Sequence, residues 1–188
     1  MQVENSLKEV FDLYEQYGKE DYIGEPVSQI EHMSQTAELA MTEGYDDEVI
    51  LASFFHDIGH ICVNRNKENH MSGFGTKSHE KIGADFLRSK GFSERIAKLV
   101  ENHVQAKRYL TFKQPDYFDN LSEASKKTLA FQGGVMNQDE AMAFEKDPLF
   151  NESIKMRQWD ELAKEINTPL VDLDKIKAKA KKALTFIY

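Results

Sequence analysis

The segment Leu51-Ala-Ser-Phe-Phe-His-Asp-Ile-Gly-His60 decides how this chain is read, because His56 and Asp57 stand side by side within an apolar run. Two such groups are costly to bury unless each finds a partner. A metal centre supplies one to both, since neutral imidazole and carboxylate are each ligands. Four residues of the same kind answer the pair elsewhere: His32, His79, His103 and Asp160. Four imidazoles and two carboxylates exceed what one tetrahedral ion takes and suit two octahedral ones. The expectation is a dinuclear metalloenzyme.

Working outward, helical periods dominate and no stretch sustains β alternation, so the fold class expected is all-α. Val3, Leu7, Val10, Phe11 and Tyr14 mark a first amphipathic helix. Two glycines and Pro26 break the pattern over 18–26. Helices are then expected from about Val27 to Glu43 and from Asp46 to roughly Ile58. The polar, glycine-containing stretch 63–76 reads as a loop and a candidate lid. Further helices are expected at Lys77–Lys90, at Ser93–Tyr109 with Ser93 as N-cap, and at Ser122–Phe131, Gln138–Lys146, Asn151–Lys164 and Leu173–Phe186.

Composition bounds the rest. At 188 residues the chain fits one domain spanning 1–188 with a sizeable core. A formal net charge of −8 argues against a nucleic-acid surface. The single cysteine, Cys62, excludes an internal disulfide, suits a reducing compartment and reads as a small buried filler. The first ten residues lack an apolar signal core, and no run approaches the ~18 apolar residues of a membrane span. A cytoplasmic protein is expected. The lysines at 175, 177, 179, 181 and 182 read as a solvated helix surface.

Helical spacing gives each ligand a direction. His56 shares a face with Val49, Ala52, Ser53 and His60, and the small residues leave room for a site. His79 sits with Ile82, Gly83 and Phe86, where Gly83 lets another element approach closely. His103 follows Ile96, Leu99 and Val100, with Lys107 one turn on. Arg157 lies three residues before Asp160, so a cation flanks that carboxylate. His32 falls roughly 130° from the Ile30/Met33/Ala37/Met41 stripe at about 100° per residue, so its helix must bury two faces. His70, in the polar loop, is not read as a ligand, and Trp159 is read as core.

The ordered set His32, His56-Asp57, His79, His103, Asp160 resembles the ligand series of the HD-domain superfamily, whose fold is a helical bundle around one or two metals. Further blocks narrow the resemblance: Asp21-Tyr-Ile-Gly-Glu25, Gln29-Ile-Glu-His32, His79-Glu-Lys-Ile-Gly-Ala-Asp85, Gly91-Phe-Ser-Glu-Arg95, His103-Val-Gln-Ala-Lys-Arg-Tyr109, Leu121-Ser-Glu-Ala-Ser125, Gln132-Gly-Gly134 and Arg157-Gln-Trp-Asp160. Together they are similar to the phosphonate-degrading HD-domain oxygenases, relatives of myo-inositol oxygenase. The resemblance runs from about residue 20 to 165 and departs at 63–76 and after Pro169.

It implies a mixed-valent Fe(II)/Fe(III) pair bridged by Asp57. His32, His56 and Asp160 would complete one ion, while His79 and His103 would hold the second and leave it open. Dioxygen is then the co-substrate. The substrate implied is a small 1-hydroxyphosphonate: the 2-amino compound would give glycine and phosphate, the 2-trimethylamino analogue glycine betaine and phosphate. Lys107, Arg157, Ser125 and His60 match positions that hold the phosphonate, with His60, Lys107 and Asp57 the catalytic candidates. Glu25 matches the residue that meets the substrate ammonium, and Tyr22 one that occupies the iron until substrate enters, both on a glycine-flanked loop suited to movement. A trimethylammonium normally recruits an aromatic wall, for which Tyr22, Phe74 and Tyr109 are candidates.

Two other readings stay open. One is a metal-dependent phosphohydrolase acting on a small phosphate ester, with Lys107 and Arg157 clamping the phosphate. The other is a non-enzymatic module whose metals are structural. Oligomeric state is not legible.

Overall fold

The computed structural model describes residues 2–22, 24–62, 71 and 75–185. Lid candidate 63–76 therefore lies largely outside the described residues, as do His70 and Phe74.

Ten α-helices are formed among the described residues: α1 Gln2–Tyr17, α2 Gln29–Thr42, α3 Asp47–Phe55, α4 His79–Ser89, α5 Glu94–Lys113, α6 Pro115–Asn120, α7 Glu123–Phe131, α8 Gln138–Phe144, α9 Phe150–Leu162 and α10 Leu173–Thr185. The start signals are local. Ser28 and Glu31 close a capping box on α2, and Asn137 and Glu140 close one on α8. Asp46 accepts from the backbone N–H groups of Glu48 and Val49, and Ser93 from that of Ile96. Helix α5 runs a turn beyond the expected Tyr109 because Leu110 is still buried, and it stops at Gln114, before Pro115.

Helix α5 lies at the centre, against α3, α4 and α9, while α2 packs on α3 and α9. Central placement answers the two-face demand on α2: His32 and Thr36 are buried along with Met33, Ala37 and Ala40. Helices α1 and α10 close the end of the core, with Phe11 and Tyr14 stacked against Phe54 and Phe55. The lysines of α10 do more than meet solvent. Lys179 and Lys182 reach Asp47, and Lys181 reaches Glu4, surface pairs worth roughly 0–1 kcal/mol each. Trp159 is buried as expected and donates its Nε1–H to Glu43. Cys62 is half-buried at the core edge, its thiol pushed up to about 11 by burial.

The expected helix from Asp46 to Ile58 is corrected at the point that matters. It ends at Phe55, and the chain passes through His56 and Asp57 into a 3₁₀ turn, Ile58–His60. Packing holds the turn. A Cβ on Gly59 would stand 1.9 Å from the His79 carbonyl oxygen, so the start of α4 lies against the 3₁₀ turn too closely for any side chain at that position. Gly83 completes this approach, with the Gly59 nitrogen 3.0 Å from where its own Cβ would stand. In an uninterrupted helix adjacent residues diverge by about 100°. Breaking it lets His56 and Asp57, neighbours in sequence, face one place.

Candidate metal centre

Six side chains from α2, the α3–3₁₀ junction, α4, α5 and α9 converge, all at most 3% exposed: His32, His56, Asp57, His79, His103 and Asp160. They form two groups. His32 and His56 meet Nε2 to Nε2 at 3.0 Å, with Asp160 Oδ1 3.3 Å from His32. His79 and His103 meet Nε2 to Nε2 at 3.1 Å. Asp57 stands between: Oδ2 is 3.4 Å from His56 Nε2, while Oδ1 is 3.2 Å from His79 Nε2 and 3.5 Å from His103 Nε2.

Ring orientation is set by the backbone. Nδ1 of His32 donates to the Ala163 carbonyl, that of His56 to Ser53 and that of His103 to Val100. A neutral imidazole has one N–H, so these three rings present lone pairs at Nε2. Two facing lone pairs repel unless a cation lies between them. That cation is either a proton or a metal ion, and the all-nitrogen-and-oxygen donor set suits iron or manganese better than a thiolate site would. Without a metal the proton takes that place on His56. Burial alone would lower His56, but Asp57 and Asp160 raise it to about 9. Burial, with His79 next, lowers His103 to about 3. Against their own burial, Asp57 is held well below the usual carboxylate range by His56, and Asp160 by Arg157. The residues fit a metal centre.

His60 differs. Its Nδ1 accepts from the Thr76 backbone N–H at 3.0 Å, so its proton sits on Nε2, 3.8 Å from Asp57 Oδ1. Burial, then His79, depresses it to about 3, so it is neutral at pH 7. A ring that presents N–H toward the centre is a donor to a bound molecule and not a ligand. The expected shared helical face of His56 and His60 is replaced by the 3₁₀ turn, which stacks His60 on His79 with centroids 4.1 Å apart.

Beside the six lies a cavity of about 150 Å³, room for a small molecule. Every expected substrate residue lines it: Tyr22, Glu25, His60, Lys107, Ser125 and Arg157. Lys107 is 2% exposed and donates to Thr128 Oγ1 and Gln132 Oε1, both at 2.9 Å. Burial, then Arg157, pushes its pKa well below the ordinary lysine value. Arg157 is spread over four partners: Asp160, Glu161, the Tyr117 hydroxyl and Ser125 Oγ at 3.1 Å. Tyr22 lies flat on His32, centroids 4.0 Å apart, and burial followed by Asp57 raises its phenol well above the usual value.

Three features differ from expectation. The loop bearing Tyr22 and Glu25 is tied down: Tyr22 N–H donates to Val27 O and Glu25 N–H to Tyr22 O, each at 2.9 Å. Gly24, at φ +84°, serves packing there, since a Cβ would meet Ala124 Cβ at 2.7 Å. Tyr109 is not at the cavity; it packs with Phe144 and Phe150 and bonds Glu145. Glu25 is already engaged, accepting from Lys164 Nζ at 2.9 Å. Sequence reasoning missed Lys164, Thr128, Tyr117 and Glu161, and gave Gln132 no role beyond the Gln132-Gly-Gly134 block. Tyr117 and Glu161 carry no metal-type signal, although Glu161 at four residues from Arg157 is the spacing of a helical ion pair.

Comparison with known proteins places these residues in context. The family model described as the HD domain matches residues 30–164. The chain is 45% identical over 173 residues to an uncharacterized protein of Acanthamoeba polyphaga mimivirus, covering 92% of this chain and 79% of that one. It is 38% identical over 167 residues to the 1-hydroxy-2-(trimethylamino)ethylphosphonate dioxygenase (glycine-betaine-forming) of Leisingera caerulea, covering 88% and 84%. It is 34% identical over 175 residues to the hydroxymethylphosphonate dioxygenase of Gimesia maris, covering 93% and 86%.

Proposed function

The chain belongs to the HD-domain family, on the branch that holds phosphonate dioxygenases, and from that premise we propose that it is an iron-dependent oxygenase that cleaves the C–P bond of a small 1-hydroxyphosphonate. The observation that carries this reading is the likeness to two phosphonate dioxygenases over most of the chain, at 38% and 34% identity; Lys107 and Arg157, lining one small cavity with His79, Asp57 and Asp160, supply the anion site. Phosphonate is a dianion, and in a site shielded from water it needs charge-assisted donors.

His32, His56 and Asp160 would hold one iron, His79 and His103 the other, and Asp57 both, in the mixed-valent pair that the resemblance implies. Bound there, the irons would supply the reduction of dioxygen and a chelating position for the substrate. One dioxygen balances the reaction: the carbinol carbon becomes a carboxylate carbon, the C–P bond breaks, and phosphorus leaves as inorganic phosphate. The chain's own residues do the rest. Lys107 would meet a phosphonate oxygen; burial, then Arg157, lowers its pKa in the empty cavity, and a bound dianion would restore its charge. Arg157 takes the hydroxyl of Ser125 as an acceptor, which leaves the Ser125 proton to donate to a phosphonate oxygen. His60 holds a proton at Nε2, directed by Thr76, within reach of a substrate oxygen. Tyr22 covers His32 and keeps water from that side. Among the described residues no helix is long and apolar enough to cross a membrane.

Phosphate release from a 1-hydroxyphosphonate by the iron-loaded protein tests the proposal. Release is expected with air and not under argon, with one dioxygen consumed per phosphate. Equal release under argon would overturn the oxygenase reading, and phosphate release from a small phosphate ester without dioxygen would favour the phosphohydrolase.

A further inference from the structure

Part of the cavity wall is formed by the ion pair of Glu25 and Lys164, whose side chains are 10% and 19% exposed. Both members line the cavity. Lys164 follows Ala163, whose carbonyl orients His32, so its backbone is anchored to the centre itself. A carboxylate bonded to a lysine at 2.9 Å has spent its charge. A substrate ammonium arriving there would either break a largely buried pair or sit beside a second ammonium, and like charges in a shielded site repel strongly.

Nothing else on this wall replaces Glu25. A cation can be held on aromatic faces instead of a carboxylate. Among the described residues that line the cavity, however, Tyr22 is the one tyrosine, phenylalanine or tryptophan, and its ring face lies on His32. Asp21 is exposed, so its charge is screened by solvent, and Glu20 has a partner of its own.

We propose that Lys164 is a specificity-determining residue: the Glu25–Lys164 pair closes the cavity with a neutral wall, and the substrate is a 1-hydroxyphosphonate whose other substituent at C1 carries no positive charge, hydrogen or a small uncharged group. This rests on the proposed function and narrows it to a substrate class that excludes the amino and trimethylamino compounds.

Binding and turnover are measured separately, so that the two readings can fail separately. Hydroxymethylphosphonate, 2-amino-1-hydroxyethylphosphonate and its trimethylamino analogue are titrated calorimetrically into the metal-loaded protein under argon, and phosphate release is then followed in air. The wild type should bind hydroxymethylphosphonate at least tenfold more tightly than either cationic compound, with the same order in kcat/KM. Lys164→Met, which keeps the stem and frees Glu25, should raise affinity for the 2-amino compound at least tenfold, whereas Lys164→Arg should keep the wild-type order. Adding Glu25→Gln to Lys164→Met should cancel the gain. Tighter binding of a cationic compound by the wild type, an order unmoved by Lys164→Met, or no binding of any of the three overturns the proposal. The expected order in binding without dioxygen-dependent phosphate release would leave the specificity inference standing and overturn the oxygenase reading.

Discussion

His32 and His56 meet Nε2 to Nε2 at 3.0 Å although each ring already donates its Nδ1 proton to a backbone carbonyl. The contact needs a cation, and the protein has built one place for it from α2 and another element. Anything that binds the folded chain and not the unfolded one adds stability, about 2.7 kcal/mol when the free ligand is a hundred times its Kd. For a chain of this size that is roughly 5–10 °C in Tm. Calorimetry before and after treatment with a strong chelator should show such a fall, restored by ferrous iron. Identical transitions in all three samples would remove the metal centre.

The position of Asp57 between the two groups makes a sharper prediction. His79→Ala removes a donor from one group and leaves the His32–His56–Asp160 group whole, so bound iron should fall from two ions per chain to one. Asp57→Ala removes the carboxylate whose oxygens face both groups, so iron should fall below one. Both should lose at least 100-fold in kcat. Metal analysis of the purified variants checks the stoichiometry independently of activity, and equal iron content in the two would refute a bridging Asp57.

Lys107 sets function against stability. Burial, with Arg157 nearby, opposes its charge in the folded protein, so its pKa falls on folding. A base whose folded pKa is depressed costs stability below the ordinary lysine range and ceases to cost any once pH exceeds it. Lys107→Met should therefore be at least as stable as wild type at pH 7, while losing a charged hydrogen bond to the phosphonate worth about 1.5–3 kcal/mol, or roughly 10–150-fold in kcat/KM. Denaturant midpoints paired with steady-state kinetics decide it; a destabilised variant with normal kinetics would make Lys107 structural.

How much of this was visible in the chain depends on where the information sits. The helices are legible because their caps and periods are local: Asp46, Ser93 and Ser122 stand at the expected starts and the structure uses each as a cap, while Ser28 and Asn137 cap helices within a residue of the expected starts. His56-Asp57 is legible because burying such a pair is costly without a purpose. The break after Phe55 is not legible, since the turn that follows it packs at Gly59 against the His79 carbonyl, 20 residues away in sequence. Lys164 is not legible either. It closes the expected helix Asn151–Lys164 but lies two residues past the end of α9, and only the fold brings it to Glu25, 139 residues earlier. The short helix α6 begins at a proline and buries nothing, so periodicity passes over it, and with it Tyr117, whose hydroxyl holds Arg157.

Asp46 connects local capping to the centre. Its carboxylate accepts from Glu48 and Val49 N–H groups and from Arg95, so it starts the helix that ends in His56 and ties it to α5. Arg95, against partial burial, with the backbone donors next, lowers its pKa. A carboxylate with a depressed folded pKa adds stability above its unfolded value, and that stability is lost as pH falls through the folded one. Asp46→Ala should cost about 1 kcal/mol at pH 7, with the gap to wild type closing below about pH 4. A gap that persists in acid would mean that the loss is packing and not the charged cap.

Among the described glycines Gly59 carries the closest constraint. Any Cβ there would lie 1.9 Å from the His79 carbonyl oxygen and 2.9 Å from its Cα, both backbone atoms that a side-chain rotation cannot move. Gly59→Ala must therefore push the 3₁₀ turn away from α4, and Asp57 and His79 sit at either end of that contact, 3.2 Å apart. Overpacking of this sort costs typically 1–3 kcal/mol and here should reach about 3. The displacement also widens the group formed by Asp57, His79 and His103, so the variant should retain one iron per chain at most, the expectation for His79→Ala. Gly83→Ala is the control: its Cβ meets the same turn at 3.0 Å, where a few tenths of an ångström of movement suffice, so it should be milder in both stability and iron content. If Gly59→Ala melted and bound iron like the wild type, the close packing of α4 on the 3₁₀ turn could not be what holds that turn.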